Sequence, residues 1–304
     1  MTTYIFGHKN PDTDSICSAI AYADFKTKNG EKNILAARIG DINNETKFVL
    51  DKFDISAPKL LTDGTDKKMI LVDHNQETQS INNRDKGEVV EVLDHHNINF
   101  QSAGTIPFIA DAVGATATIL ATMYFETKTP LDKKIAGLLL SAIISDTVIF
   151  KSPTTTDKDK TMAKKLAPIA EIKDLNAFGI EMFKAKSVWG DMNSADIIEM
   201  DRKEYDMSGT KISITQVETV DYTDLVPRKK ELLDELLRLK ELRDMNLSVL
   251  LITDIIKEGC LLLAVGDTGK IEKAYNKKLE NCEMWLDGVL SRKKQVVPLL
   301  EKVF

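Results

Sequence analysis

Four histidines occur in the chain, His8, His74, His95 and His96, and each follows a short apolar run with aspartate close by. Tyr4-Ile5-Phe6-Gly7-His8 leads to Asp12 and Asp14, Ile70-Leu71-Val72 leads to Asp73-His74, and Val92-Leu93 leads to Asp94-His95-His96. Imidazole and carboxylate in one cluster, without thiolate, suit divalent ions of intermediate hardness: manganese, cobalt, iron or zinc rather than calcium or magnesium in an all-oxygen cage. A set of roughly six ligands exceeds what one ion takes from protein while keeping a position open for chemistry. It matches two ions about 3.5–4 Å apart that share a carboxylate, an arrangement that clamps attacking and leaving oxygens in phosphoryl transfer. One aspartate at a strand end is ordinarily a cap or a loop hydrogen bond. Three strand ends of one design are not, so His8, Asp12, Asp14, Asp73 and His95 form the expected cluster. Asp14 or Ser15 is a candidate N-cap for the helix that follows; in an extended stretch, period two would instead point Asp12 and Asp14 the same way.

Those loops need a framework that brings them together. The first half alternates short apolar runs with helical periodicity, the mark of βαβ units and a mostly parallel sheet. Expected strands cover Thr3–Phe6, residues 34–39, Lys68–Val72, residues 89–93 and residues 105–109. Expected helices cover residues 15–28, 114–125, 131–144, 158–170 and 175–183. In the first of them Ile16, Ala19, Ile20 and Ala23 share one face and Gly30 ends the run. Open α/β sheets bind ligands beyond the carboxyl ends of their strands, which is where the three histidine loops lie. The polar stretch at 186–191 reads as a linker between a domain at 1–185 and a second at 192–304. In the second, strands are expected at 211–217, 248–255 and 260–265, with a long amphipathic helix at 226–245.

The composition sets limits on partners. With 304 residues, 43% hydrophobic and 29% charged, the chain is long and apolar enough to bury a substantial core. A formal net charge of -6 disfavours non-specific binding to nucleic acid or anionic membrane. Cys17, Cys260 and Cys282 fit neither a disulfide framework nor a zinc knuckle and are expected as reduced thiols. No basic-then-apolar leader and no apolar stretch near the ~20 residues that cross a bilayer is visible, so the expected location is cytoplasmic.

At these residues the sequence resembles the DHH phosphoesterase superfamily, named for a strand-terminal Asp-His-His such as Asp94-His95-His96, and within it the family II, manganese-dependent inorganic pyrophosphatases. The narrower likeness is carried by Gly7-His8-Lys9-Asn10-Pro11-Asp12-Thr13-Asp14-Ser15, Val113-Gly114-Ala115-Thr116-Ala117-Thr118, Ser141-Ala142-Ile143-Ile144-Ser145-Asp146-Thr147 continuing through Phe150-Lys151-Ser152-Pro153-Thr154, and Ser291-Arg292-Lys293-Lys294. These segments stand in family order and span both ends of the chain.

The resemblance implies an N-terminal α/β DHH domain, its mostly parallel sheet covered by helices on both faces, and a smaller α/β domain of DHHA2 type. It implies hydrolysis of pyrophosphate to two orthophosphates by a hydroxide bridging two Mn²⁺ or Co²⁺ ions per subunit, with additional Mg²⁺ arriving on the substrate. The site would lie in an interdomain cleft that closes by hinging at 186–191, in a homodimer. His8, Asp12, Asp14, Asp73, His95 and Asp146 are then the metal ligands, with Asp73 bridging; Asp146 enters through the resemblance alone. His96 would stand at the phosphate. Arg292 and Lys293 would bind phosphate oxygens with Lys203, for which neighbouring Arg202 is the competing choice. Asp94 is read as orienting a histidine, with Asn75 and Lys151 also behind the ligands, and His74 matches no ligand position.

Pyrophosphate cleavage asks for positioning and charge neutralisation, which such a set provides. Two rivals are weighed. A DHH phosphodiesterase acting on short oligonucleotides or cyclic dinucleotides usually carries Gly-Gly-Gly-His in its second domain, yet no histidine follows His96. A catalytically silent metal-dependent regulator would have lost ligands or clamps, and all are present. The spacings leave no room for nucleotide-sensing CBS domains, so adenine-nucleotide regulation is not expected.

Overall fold

Thr3–Phe6 (β1) opens a parallel sheet in a computed structural model that describes residues 2–186, 189–190 and 192–304. The chain divides into two compact units, Met1–Lys186 and Ser187–Phe304. The hinge expected at 186–191 rests on Ser187, Val188 and Asp191, which lie outside the described residues.

In the first unit β1 is followed by α1 (Thr13–Lys28), β2 (Ile34–Arg38), α2 (Asn44–Lys52), β3 (Lys59–Leu60), β4 (Lys68–Val72), β5 (Glu88–Asp94), β6 (Phe108–Ala110), α3 (Thr116–Thr127), α4 (Lys133–Asp146), α5 (Asp157–Ile169) and α6 (Leu175–Lys186). The strand order is β3-β2-β1-β4-β5-β6 and every pairing is parallel. Parallel strands are covered on both faces, so they read as continuous apolar runs; Ile5, Phe6, Ile70, Leu71, Val72, Val92 and Leu93 are buried accordingly. One face packs against α1, which meets β1, β2 and β4. On the other, Phe6, Met69, Leu71 and Val92 pack with Ile81, Phe100 and Ile106 from connections that include two single-turn 3₁₀ helices, Glu77–Gln79 and Arg84–Lys86.

The chain winds outward from β1 through β2 to β3, then returns to place β4 on the opposite side of β1. Strand order therefore reverses between β1 and β4, and at such a switch point the loops leaving two neighbouring strands diverge and open a crevice at their carboxyl ends. Gly7 makes the first of these loops possible: a Cβ there would lie 2.4 Å from Ser15 Cβ, so only glycine passes under the first turn of α1.

Helix α1 begins at Thr13, two residues ahead of expectation, because Asp12 rather than Asp14 or Ser15 is its N-cap, accepting the Ser15 N–H at 2.9 Å. Asp14 is thus helical, and the extended reading that pointed Asp12 and Asp14 the same way does not apply.

The second unit comprises α7 (Ser194–Glu199), β7 (Arg202–Met207), β8 (Thr210–Thr219), α8 (Lys229–Leu242), β9 (Leu247–Asp254), β10 (Gly259–Gly266), α9 (Thr268–Tyr275), β11 (Glu283–Asp287), a π-helical turn Arg292–Val296 and α10 (Val297–Leu300). Its sheet has the order β11-β10-β9-β8-β7, antiparallel except between β8 and β9. Period-two alternation sorts its side chains into two layers: Ile212, Ile214, Val249 and Leu262 pack with Val296 and Leu300, while Val217, Leu250 and Leu263 pack with Leu232, Leu236 and Leu239 of α8. The expected helix at 226–245 is shorter, since Val226–Arg228 with Pro227 forms a separate turn before Lys229. Strand β7 was not expected: Arg-Lys-Glu-Tyr-Asp-Met is a polar edge strand with no apolar run to mark it. Among the described residues no helix is long and apolar enough to cross a membrane.

Candidate metal centre

The loops after β1, β4 and β5 and the end of α4 bring two overlapping donor sets together. One is His8, Asp12 and Asp73; the other is Asp14, Asp73, His95 and Asp146; within each set one ligand atom per residue lies within 4.8 Å of the rest. A further grouping joins Asp73, His95 and His96. All six ligands implied by the resemblance fall in the two sets, and Asp73 is common to them. His8 Nε2 lies 3.3 Å from Asp12 Oδ2 and 3.5 Å from Asp73 Oδ2. His95 Nε2 lies 3.5 Å from Asp73 Oδ1 and 3.7 Å from Asp146 Oδ2. Asp12, the cap, and Asp14, one turn into the helix, consequently serve different sets.

The donor side chains are held from behind. Asp73 sits in the left-handed region at φ 58° and accepts Ser15 Oγ at 2.7 Å and Thr116 Oγ1 at 3.0 Å, one hydroxyl on each oxygen. Asp14 accepts Ser18 Oγ at 2.7 Å and the N–H groups of Thr116 and Ala117, the first turn of α3, at 2.6 and 3.0 Å. Buried Glu45 accepts Thr13 Oγ1 at 2.6 Å and the Ser145 hydroxyl, tying a neighbour of Asp12 and Asp14 to the neighbour of Asp146. No sequence signal marks Glu45, because its partners lie far along the chain.

The His95 ring tests whether the site fits a cation. Its Nδ1 is 2.9 Å from the Val113 carbonyl, an acceptor only, so Nδ1 carries the proton and Nε2 a lone pair. That Nε2 is buried without a hydrogen-bond partner, an arrangement proteins rarely tolerate unless something else meets the atom. Burial, followed by mutual repulsion, holds the carboxyls of Asp73 and Asp146 well above the usual range, and burial raises Asp14. Stacked acids and an aimed imidazole lone pair are the donor chemistry of divalent cations, and the six residues fit two of them.

His74 belongs elsewhere. It is buried, with Nδ1 on the Val72 carbonyl at 2.9 Å and Nε2 on Ser80 Oγ at 3.1 Å, and burial pushes its pKa down to about 4. His96 is half exposed; its Nδ1 meets Asp94 Oδ1 at 2.9 Å, a bond that raises its pKa, and Asn75 Nδ2 holds the other Asp94 oxygen at 2.6 Å. Asp94 therefore orients His96 rather than His95. Lys151 is exposed.

In the second unit, Arg292 is buried at the head of the π-helical turn; its guanidinium meets the Asp201 carboxylate at 3.0 Å and the Ile214 carbonyl at 3.1 Å, while Nε has no hydrogen-bond partner. Lys293 is exposed. Lys203 pairs across the sheet with Ile214, so its side chain rises on the face that carries Val296 and Leu300, beside the Arg292 turn. Arg202 points to the opposite face and is engaged by Glu199 and Glu204, which favours Lys203 of the two.

A parallel sheet with a carboxylate-imidazole centre at its switch point, joined to a mixed-sheet unit, defines a two-unit DHH metalloprotein: residues 2–143 match the model of the DHH family N-terminal domain and residues 180–303 that of the DHHA2 domain. The chain is 46% identical over 309 residues to a manganese-dependent inorganic pyrophosphatase of Methanocaldococcus jannaschii, covering 99% of both chains, and 46% identical over 300 residues to that of Bacillus subtilis, covering 97% of this chain and 96% of the relative. A crystal structure described as a Methanococcus jannaschii family II inorganic pyrophosphatase covers 100% of this chain and 99% of its own, at 45% identity and TM-score 0.64. The chain belongs to the manganese-dependent, family II inorganic pyrophosphatases.

Proposed function

We propose that the protein hydrolyses inorganic pyrophosphate to two orthophosphates, using manganese held by His8, Asp12, Asp14, Asp73, His95 and Asp146. The observation that carries this reading is Asp73, whose two oxygens face two histidine-containing donor sets at once. When bound, two divalent cations supply Lewis-acid polarisation of phosphate oxygens and water acidified toward neutral pH. Two Mn²⁺ per chain is the stoichiometry the donor count favours; replacement by Co²⁺ and entry of Mg²⁺ on the substrate are what the family resemblance implies.

The chain's own residues do the rest. Ser15 and Thr116 fix the Asp73 carboxylate, and the Val113 carbonyl fixes the His95 ring, so the ligands need no reorganisation when charge develops. His96 is braced by Asp94 through Nδ1, a bond that raises its pKa, and in the imidazolium form so favoured its Nε2–H donates to a phosphate oxygen. Lys293 and Lys203 offer compact charges to the phosphates, and Arg292 a planar fork that must exchange the Asp201 carboxylate for phosphate oxygens. A homodimer in the cytoplasm is the assembly and location we propose with this activity.

The deciding experiment dialyses the protein against chelator, restores Mn²⁺, Co²⁺, Mg²⁺ or Zn²⁺ separately, and follows phosphate release from pyrophosphate beside cleavage of a short oligonucleotide. Mn²⁺ and Co²⁺ should restore phosphate release and leave the oligonucleotide intact. Oligonucleotide cleavage without pyrophosphate hydrolysis would transfer the assignment to the phosphodiesterases.

A further inference from the structure

Asp159, on α5, is fully buried and stands outside both donor sets. Its carboxylate takes four donor groups. The Gly114 N–H spans both oxygens at 3.0 and 2.9 Å, Thr118 Oγ1 reaches Oδ1 at 2.6 Å, and Thr156 N and Oγ1 both reach Oδ2 at 2.7 Å. The Thr156 pair closes the capping box of α5. Capping does not call for Gly114 or Thr118, which come from a different segment.

That segment is the one that holds the metal centre. The Val113–Gly114 peptide unit presents its N–H to Asp159 and its carbonyl to His95 Nδ1 at 2.9 Å. Just beyond it, the N–H groups of Thr116 and Ala117 hold Asp14, and Thr116 Oγ1 holds Asp73. A carboxylate on the N–H of a peptide strengthens its carbonyl as an acceptor. A stronger acceptor on Nδ1–H fixes the imidazole and makes Nε2 the better ligand. The close approach depends on glycine: a Cβ on Gly114 would stand 3.0 Å from Asp159 Oδ2 and 2.7 Å from Thr147 Cγ2.

We propose that Asp159 is a positioning residue of the metal centre, acting on His95 through the Val113–Gly114 peptide and on Asp14 and Asp73 through the turn that follows. The proposal rests on the reading of the six residues as metal ligands. Its test is Asp159→Asn in the full chain, which keeps the shape but turns one acceptor oxygen into a donor. Two quantities are measured: the Mn²⁺ dissociation constant, from the free-ion electron paramagnetic resonance signal, and the Nδ1–H resonance of His95 in metal-free, ¹⁵N-histidine-labelled protein, where only four histidines contribute.

Mn²⁺ binding should weaken about tenfold, and the His95 resonance should move while that of His74 stays. Thr156→Ala, which leaves the Gly114 bond to Asp159, should lower the melting temperature without moving either readout. A folded Asp159→Asn protein with unchanged Mn²⁺ affinity and unchanged His95 resonance overturns the proposal. If that variant does not fold, Thr118→Val takes its place, with roughly threefold weaker Mn²⁺ binding expected from the loss of one hydrogen bond; no change in either readout is then the overturning result. A wild-type chain that binds no Mn²⁺ would sink the functional reading instead, whereas the His95 resonance, read without metal, still decides the relay.

Discussion

Replacing Asp73 by Asn separates stability from metal binding. Asp14, Asp73 and Asp146 each offer an oxygen within 4.8 Å of the others. Two unit charges at that distance repel by about 3 kcal/mol at an effective dielectric near 20. Asp73→Asn removes two of these repulsions. Against this, the amide keeps only one of the hydroxyl bonds from Ser15 and Thr116, at a cost of about 1–3 kcal/mol. Burial and repulsion already hold the three carboxyls above their usual range, so bound protons relieve part of the repulsion near neutral pH. About 1–3 kcal/mol of net stabilisation of the metal-free protein remains, or roughly 2–10 °C in melting temperature.

With Mn²⁺ the difference closes, and inverts over most of that range. Ligand at a hundred times its dissociation constant stabilises wild type by about 2.7 kcal/mol, while the variant has lost the carboxylate common to both donor sets. Differential scanning calorimetry in chelator and in excess Mn²⁺ gives both comparisons. The reasoning is refuted if Asp73→Asn melts below wild type in chelator, or if Mn²⁺ raises both melting temperatures equally.

His95→Ala should lose Mn²⁺ affinity and activity together, whereas His96→Gln should keep the affinity and slow turnover at least tenfold, as titration calorimetry and steady-state rates will show; unaltered turnover removes His96 from the chemistry. In the metal-free chain, raised native-state pKa values mean that above about pH 4 the folded cluster binds more protons than the unfolded chain, so this contribution to stability falls as pH rises toward neutrality. Urea midpoints across that range should accordingly show wild type losing stability relative to Asp73→Asn as pH rises, and parallel curves would contradict the shifts. Lys203→Ala should raise KM for pyrophosphate tenfold or more, the loss of about 1.4 kcal/mol of charge-assisted contact, while Arg202→Ala, already paired on the opposite face, should change it less than twofold; the reverse ranking would reassign the clamp.

The candidate metal centre was legible where scarce residue types coincided with strand ends. Histidine is rare enough here that His8 and His95, each closing an apolar run, stood out. Asp146 was not legible from pattern, because it ends an apolar helix instead of a strand and nothing nearby marks it. Asp14 was assigned to the cluster but misplaced beside Asp12, since the cap position decides which way it turns, and only the Asp12 contact with Ser15 N fixes that cap. The parallel sheet followed from its buried strands, and β7 escaped because an edge strand can be mostly polar, with only Tyr205 and Met207 apolar. Glu45 carried no signal and Asp159 only the Thr-x-x-Asp spacing of a capping box, with nothing to mark its Gly114 and Thr118 donors: each is one carboxylate among 47 acidic residues until folding brings its donors to it.

Crystals grown with manganese and measured near its absorption edge reach the centre itself. Two anomalous peaks should appear in the first unit, one among His8, Asp12 and Asp73 and one among Asp14, Asp73, His95 and Asp146, with the Asp73 carboxylate between them. A single peak, or manganese bound elsewhere while His95 Nε2 stays without a partner, would contradict the dinuclear centre and the hydrolysis derived from it.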